Sequence, residues 1–130
     1  MASRLNERKT GGLVADNVVC NVNAQSDIIN IERAKTLGLD VLLSNNDAVG
    51  TIAIEVCNFV NLSSGAGNWV PVELSTGATT VAVAAGTNTE AFYDLSDIGA
   101  KFMKVSFTDT NSGASAADNL LTVYAHVKMA

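Results

Sequence analysis

Charge is scarce in this chain. Only 16% of its 130 residues are Asp, Glu, Lys or Arg, where soluble domains average about 25%. Much of the surface must therefore be covered by Ser, Thr, Asn, Gly and Ala, and such a surface repels its neighbours weakly and suits side-by-side packing. Histidine occurs once and proline once. There are two cysteines, Cys20 and Cys57, in no CxxC or Cys/His spacing. A zinc site needs about four such ligands at set spacings, so none is expected. Both cysteines sit in apolar runs, where a free thiol behaves as a small buried hydrophobe. No apolar run approaches the roughly 18 residues of a membrane helix, and the polar start shows no apolar leader. The expectation is no membrane partner and assembly in a cytoplasm.

Nucleotide signatures are missing as well. Neither GxGxxG nor GxxxxGK[ST] occurs, so no cofactor is expected. Acid–base catalysis needs two carboxylates held in a cleft, and the carboxylates here are scattered. Asp94 and Asp97 flank a turn, where Asp is favoured for backbone hydrogen bonding, and no DxDxDG calcium loop surrounds them. His126 lies in an alternating segment beside Tyr124 and Lys128, with no Ser or Cys near it in sequence. The expected set of catalytic, cofactor and metal residues is empty, and the chain is read as not an enzyme.

What is present is alternation. Apolar residues recur at every second position in Gly38–Ser44, Val49–Phe59, Lys101–Asp109 and Asn119–Met129, and Val18, Cys20 and Val22 alternate within Asp16–Ala24. Further strands are expected at Asp27–Ala34, Asn68–Leu74, Ala78–Ala85 and Asn88–Leu95. Glu32–Leu39 is open to a short helix instead. Pro71 points to a sheet edge. About eight strands with turn signals every ten or so residues give an all-β fold: a single antiparallel β-sandwich, jelly-roll-like in the first choice of topology.

The charge that exists is unevenly placed. Net charge is −5, which argues against nucleic acid as a partner. Residues 1–12 nevertheless carry Arg4, Arg8 and Lys9 against Glu7 alone, a net of +2, which leaves −7 for the rest. This segment has little to bury and ends in Gly11-Gly12, a natural hinge. It is read as a short extended basic arm on a sandwich domain spanning residues 13–130. Arg4, Leu5, Arg8 and Lys9 are its candidate contact residues. Trp69 is the other candidate. It alternates with Val70, Val72 and Leu74, so if those aliphatics face the core it stands outward, as an interface residue, a glycan platform or a cap on the core's end.

The segment from Gly67 to Met129 resembles a small β-sandwich type among tailed-phage virion proteins. The resemblance is carried by GNWVPV, AAGTNTEAFYDL, IGAKF and the final apolar strand after a Gly/Ser loop. It implies a capsid decoration (cement) protein on the capsid exterior of a bacteriophage virion. The implied partners are the major capsid protein and further copies of the chain, as a homo-oligomer. It carries no binding-site motif. The same stretch is loosely similar to carbohydrate-binding jelly rolls. The alternatives are therefore a glycan-binding module with Trp69 as platform, or a neck or tail connector.

Overall fold

The computed structural model describes residues 12–61, 63–74, 77–95, 98–111 and 113–129. Every regular element among them is a strand, and no helix is present among the described residues. In chain order the strands are β1 (Gly12–Val19), β2 (Ala24–Gln25), β3 (Ile29–Asn30), β4 (Ala34–Ser44), β5 (Gly50–Cys57), β6 (Val70–Pro71), β7 (Val81–Val83), β8 (Thr89–Asp94), β9 (Phe102–Asp109) and β10 (Leu120–Met129). They form two antiparallel sheets packed as a β-sandwich. One has the order β1-β10-β4-β8. The other has the order β2-β9-β5-β6, with β3 also on β9 and β7 also on β5.

Alternation builds the core. Leu39, Val41 and Leu43 of β4 and Leu121, Val123 and Ala125 of β10 point inward from the four-stranded sheet. They meet Ile52 and Ile54 of β5 and Met103, Val105 and Phe107 of β9. Burying a side chain of this size contributes about 1.5–3 kcal/mol, so these paired rows are the main stabilising layer.

Three buried polar residues tie the ends together. The Ser26 hydroxyl accepts the Val105 N–H at 2.9 Å and donates to the Asp27 carbonyl. The Asn45 amide donates to the carbonyls of Ala48 and Ala84 and accepts the Ala48 N–H, closing the turn after β4. Asn119 is fully buried and accepts the N–H groups of Asn46 and Asp47. Its amide nitrogen donates to Asn21 and Asp47. No buried side-chain polar atom among the described residues lacks a partner, as a native interior requires.

Several expectations shift. The strand expected at Asp16–Ala24 divides into β1 and β2. Register shifts in β1 put Val14 and Ala15 both inside, and Asn17 takes a positive φ of 50°, a conformation Asn tolerates better than most residues. The alternation breaks there, so Val22 is 65% exposed rather than on the core face with Val18 and Cys20. Glu32–Leu39 is not a helix: Glu32 and Arg33 turn and β4 begins at Ala34, because its outer positions pair along β10. The strand expected at Asn68–Leu74 contracts to Val70–Pro71, pairing with Glu55 and Val56 at the edge of the six-stranded sheet. Proline lacks the N–H that would extend such a ladder.

Candidate functional site

The outer face of the four-stranded sheet carries the residues that alternate with the core rows. Cross-strand register sets Leu13, Tyr124, Asp40 and Phe92 in one line across all four strands. The neighbouring lines are His126, Gly38 and Asp94 on one side and Thr122, Leu42 and Glu90 on the other. Phe92 is 59% exposed and Tyr124 47%, with Leu13 and Leu42 also open to solvent. The face is therefore apolar and aromatic at its centre, where an outward strand face is ordinarily polar.

The rings are held in place. His126 lies 5.4 Å from Tyr124, stacked, and 6.2 Å from Phe92, tilted, separations at which aromatic rings attract one another. Its Nε2 is 2.7 Å from Asp40 Oδ2, which fixes the imidazole over the middle of the sheet. Gly38 makes room for Phe92. A Cβ on Gly38 would stand 2.6 Å from the tip of the Phe92 ring, so the ring lies across the glycine and covers its bare backbone, as aromatic residues do beside strand glycines.

The outer face of the six-stranded sheet is polar. Asn23, Gln25, Glu55, Ser106 and Thr108 line an open groove of about 290 Å³ floored by Ala24 and Ala53. The Ser106 hydroxyl donates to Glu55, and the Lys104 ammonium donates to Gln25 at 2.6 Å. Lys104 also sits 4.5 Å over the Trp69 ring. Burial pulls this ammonium below its usual pKa, with the Glu55 carboxylate opposing that shift.

Trp69 is half-buried and outside the core cluster. Its Nε1–H donates to the Gly65 carbonyl at 3.0 Å. Ring edge and ring face thus both have partners within the chain. Arg4, Leu5, Arg8 and Lys9 lie outside the described residues, as does Asp97. The chain enters the sheet at Gly12, opposite Ala125 and one residue from the Leu13–Tyr124 pair, so the root of the basic segment adjoins the aromatic face.

Cys20 and Cys57 are both free and buried, and burial pushes the Cys20 thiol up to about 11. A thiol so raised is a poor nucleophile at neutral pH. No three His, Cys, Asp or Glu side chains converge as a metal site among the described residues.

Sequence reasoning singled out Trp69 and the arm but missed Tyr124, Phe92, Leu42 and Asp40. The signal was the second register of each strand. Alternation puts Tyr124, His126 and Lys128 on one face of the last strand, and the Phe92 and Leu42 positions are the ones to set against it. Compared with protein-family models, curated proteins and solved structures, the chain matches none, so its surfaces are read from their own chemistry.

Proposed function

We propose that this protein is a non-enzymatic structural component of a bacteriophage virion, a capsid decoration (cement) protein. The outer face of its four-stranded sheet packs on the major capsid protein, and Arg4, Leu5, Arg8 and Lys9 make the arm contacts. The observation that carries this reading is the ordered line of Leu13, Tyr124 and Phe92 on a sheet face beside the root of a basic arm. Exposed aromatics in fixed rotamers are the usual anchors of protein interfaces, because little entropy is lost when they are buried. The low surface charge and homo-oligomeric packing on a repeating lattice fit the same picture. A jelly-roll-like topology belongs to the proposal. Its support is that each sheet interleaves strands distant in sequence, with β10 between β1 and β4, and β5 beside β9.

The alternative, a glycan-binding module, draws on the groove lined by Gln25, Glu55 and Ser106 next to Trp69. Its weakness is that Lys104 already occupies a face of the ring. A neck or tail connector would differ from cement in copy number per virion.

The test is co-sedimentation with purified phage shells, comparing the full chain with one lacking residues 1–12. Binding by the full chain and loss on truncation support the reading. Failure of the full chain to bind shells, with quenching of Trp69 fluorescence by glycans, would replace it with the alternative.

A further inference from the structure

One sheet edge lacks the devices that keep strand edges from pairing. An edge strand presents a row of unpaired N–H and C=O groups, and proteins blunt such rows with bulges, proline, lysine or brevity. The β1 edge of the four-stranded sheet is bulged, with register shifts on either side of Ala15. In the six-stranded sheet β2, β3 and β6 have two residues each and β7 has three, and β6 also holds Pro71. The remaining edge is β8, on the other side of the four-stranded sheet. Its six residues, TEAFYD, include no proline, lysine or arginine. Its pairing with β4 runs from Thr89 to Asp94 without a register shift.

Register shows which backbone groups this edge presents. The Leu95 N–H donates to the Leu37 carbonyl at 2.8 Å, so these two form a hydrogen-bonded pair. In an antiparallel ladder such pairs alternate with non-bonded ones. Tyr93, Ala91 and Thr89 therefore turn their backbone groups to Leu39, Val41 and Leu43, and the N–H and C=O of Phe92 and Glu90 point away from β4. No hydrogen bond among the described residues takes these up. An open groove of about 490 Å³ is lined by Glu73, Leu74 and the stretch Phe92–Leu95. Successive residues of a strand point to opposite faces, so both kinds line one groove only along the strand's edge. Ala91 and Tyr93 point inward yet are only half-buried, while Leu39 and Val41 on the next strand are fully buried. A further strand beside β8 would cover apolar surface as well as pair backbone groups.

Charge selects the occupant. The charged residues along the strand and its groove are Glu73, Glu90 and Asp94, all acidic. A second β8 laid antiparallel on the first would set Glu90 of one copy opposite or diagonal to Glu90 or Asp94 of the other, which costs rather than gains. We propose that β8 accepts an extended segment of a partner protein as a further strand, and that this segment carries Lys or Arg at alternate positions with apolar residues between them. Its cations lie on the outward side against Glu90. Its apolar side chains point inward beside Ala91 and Tyr93. Backbone bonds to Glu90 and Phe92 supply the affinity and the alternating side chains the selectivity. The proposal concerns the sheet's edge rather than its outer face, so it stands or falls apart from the shell reading.

The probe is a short peptide of alternating Val and Lys with capped termini, titrated into the full chain while NMR follows backbone amide hydrogen exchange. The expected result is protection that skips every second residue. The Glu90 and Phe92 amides, fast without peptide, should slow about tenfold once nine-tenths of the chain is bound, while Ala91 and Tyr93 are slow throughout. In the paired strand the lysines stand opposite Glu90 and Phe92, so their N–H groups face β8. A peptide N-methylated on the lysine backbone keeps its charge and should give no protection. Glu90 is exposed, so Glu90→Gln should unfold in urea as wild type does and weaken peptide binding by up to about fivefold, as loss of a cross-strand charge pair does.

Unchanged exchange at Glu90 and Phe92 in about 1 mM peptide would overturn the proposal. So would equal protection by the N-methylated peptide, since binding would then be a matter of charge without a strand. Protection that appears without peptide and grows with protein concentration would also overturn it, because the edge would then pair with a second copy. Equal protection by an alternating Val and Glu peptide would remove the basic occupant, and the proposal with it.

Discussion

Two glycines separate the roles of the two sheets, and alanine at each gives opposite outcomes. Neither has a positive φ, so backbone strain does not enter. Gly50 is buried where β5 faces Asp109 of β9. A Cβ there would run into the Thr108 carbonyl oxygen and stand 2.9 Å from the Phe107 ring. Backbone in a central ladder and a fully buried ring cannot retreat, so Gly50→Ala overpacks the core and costs about 3 kcal/mol, lowering Tm by about 10 °C in a domain of this size. At Gly38 the obstacle is only the tip of Phe92, an exposed side chain free to swing outward. Alanine also recovers about 0.5–1 kcal/mol of the entropy a strand glycine loses, so Gly38→Ala should unfold within about 1 kcal/mol of wild type. It should nonetheless displace Phe92 from His126 and Gly38 and weaken shell binding roughly tenfold, as loss of an aromatic anchor does. Urea unfolding and co-sedimentation read the two effects. Equal destabilisation by both substitutions, or undiminished shell binding by Gly38→Ala, would refute the reasoning.

Other outcomes follow from the buried polar residues and the thiols. Asn119→Ala strips partners from the N–H groups of Asn46 and Asp47 and from the Asp47 carboxylate, and urea unfolding should show a loss of about 3 kcal/mol. The Asn119 amide, followed by the Ser115 and Ala116 N–H groups, holds Asp47 below the usual carboxylate range. The stability this gives is present above the unfolded-state value of about 3.9 and is lost as pH falls through the folded value. Asp47→Asn should therefore flatten the acid limb of the stability–pH curve below about pH 4. Cys20 is raised to about 11 while an unfolded thiol ionises near 8.5. Stability should consequently fall as pH rises above about 8.5, and Cys20→Ala should lessen that slope, the Cys57 thiol, also raised by burial, contributing to what remains. At neutral pH a thiol reagent should modify Cys20 quickly only in denaturant.

The sequence carried the sandwich because alternation within Gly38–Ser44, Lys101–Asp109 and Asn119–Met129 has one physical meaning, a strand with one face buried. It failed where local geometry broke the period. The bulges in β1 bury Val14 beside Ala15 and leave Val22 outside, and no pattern rule encodes a bulge. Pro71 correctly marked an edge, yet the strand around it shrinks to two residues. Trp69 drew attention as a lone large aromatic, but its ring edge is engaged by Gly65, four residues before it, and its face by Lys104, a contact between segments far apart in sequence. The aromatic face was hidden for a related reason. Tyr124, Asp40 and Phe92 come from three strands, and only the register of β10 on β4 and β4 on β8 brings them into line.

The central claim is that the outer face of the four-stranded sheet is the assembly surface, and shell binding by Phe92→Ser/Tyr124→Ser tests it most directly. Phe59→Ser is the control, because Phe59 is 83% exposed and belongs to neither sheet's strands. Both variants should fold as wild type, since all three side chains are exposed. The account predicts that the double variant loses shell affinity by about a hundredfold, the product of two roughly tenfold anchor losses, while Phe59→Ser binds as wild type. Normal binding by the double variant, or loss only with Phe59→Ser, would contradict it.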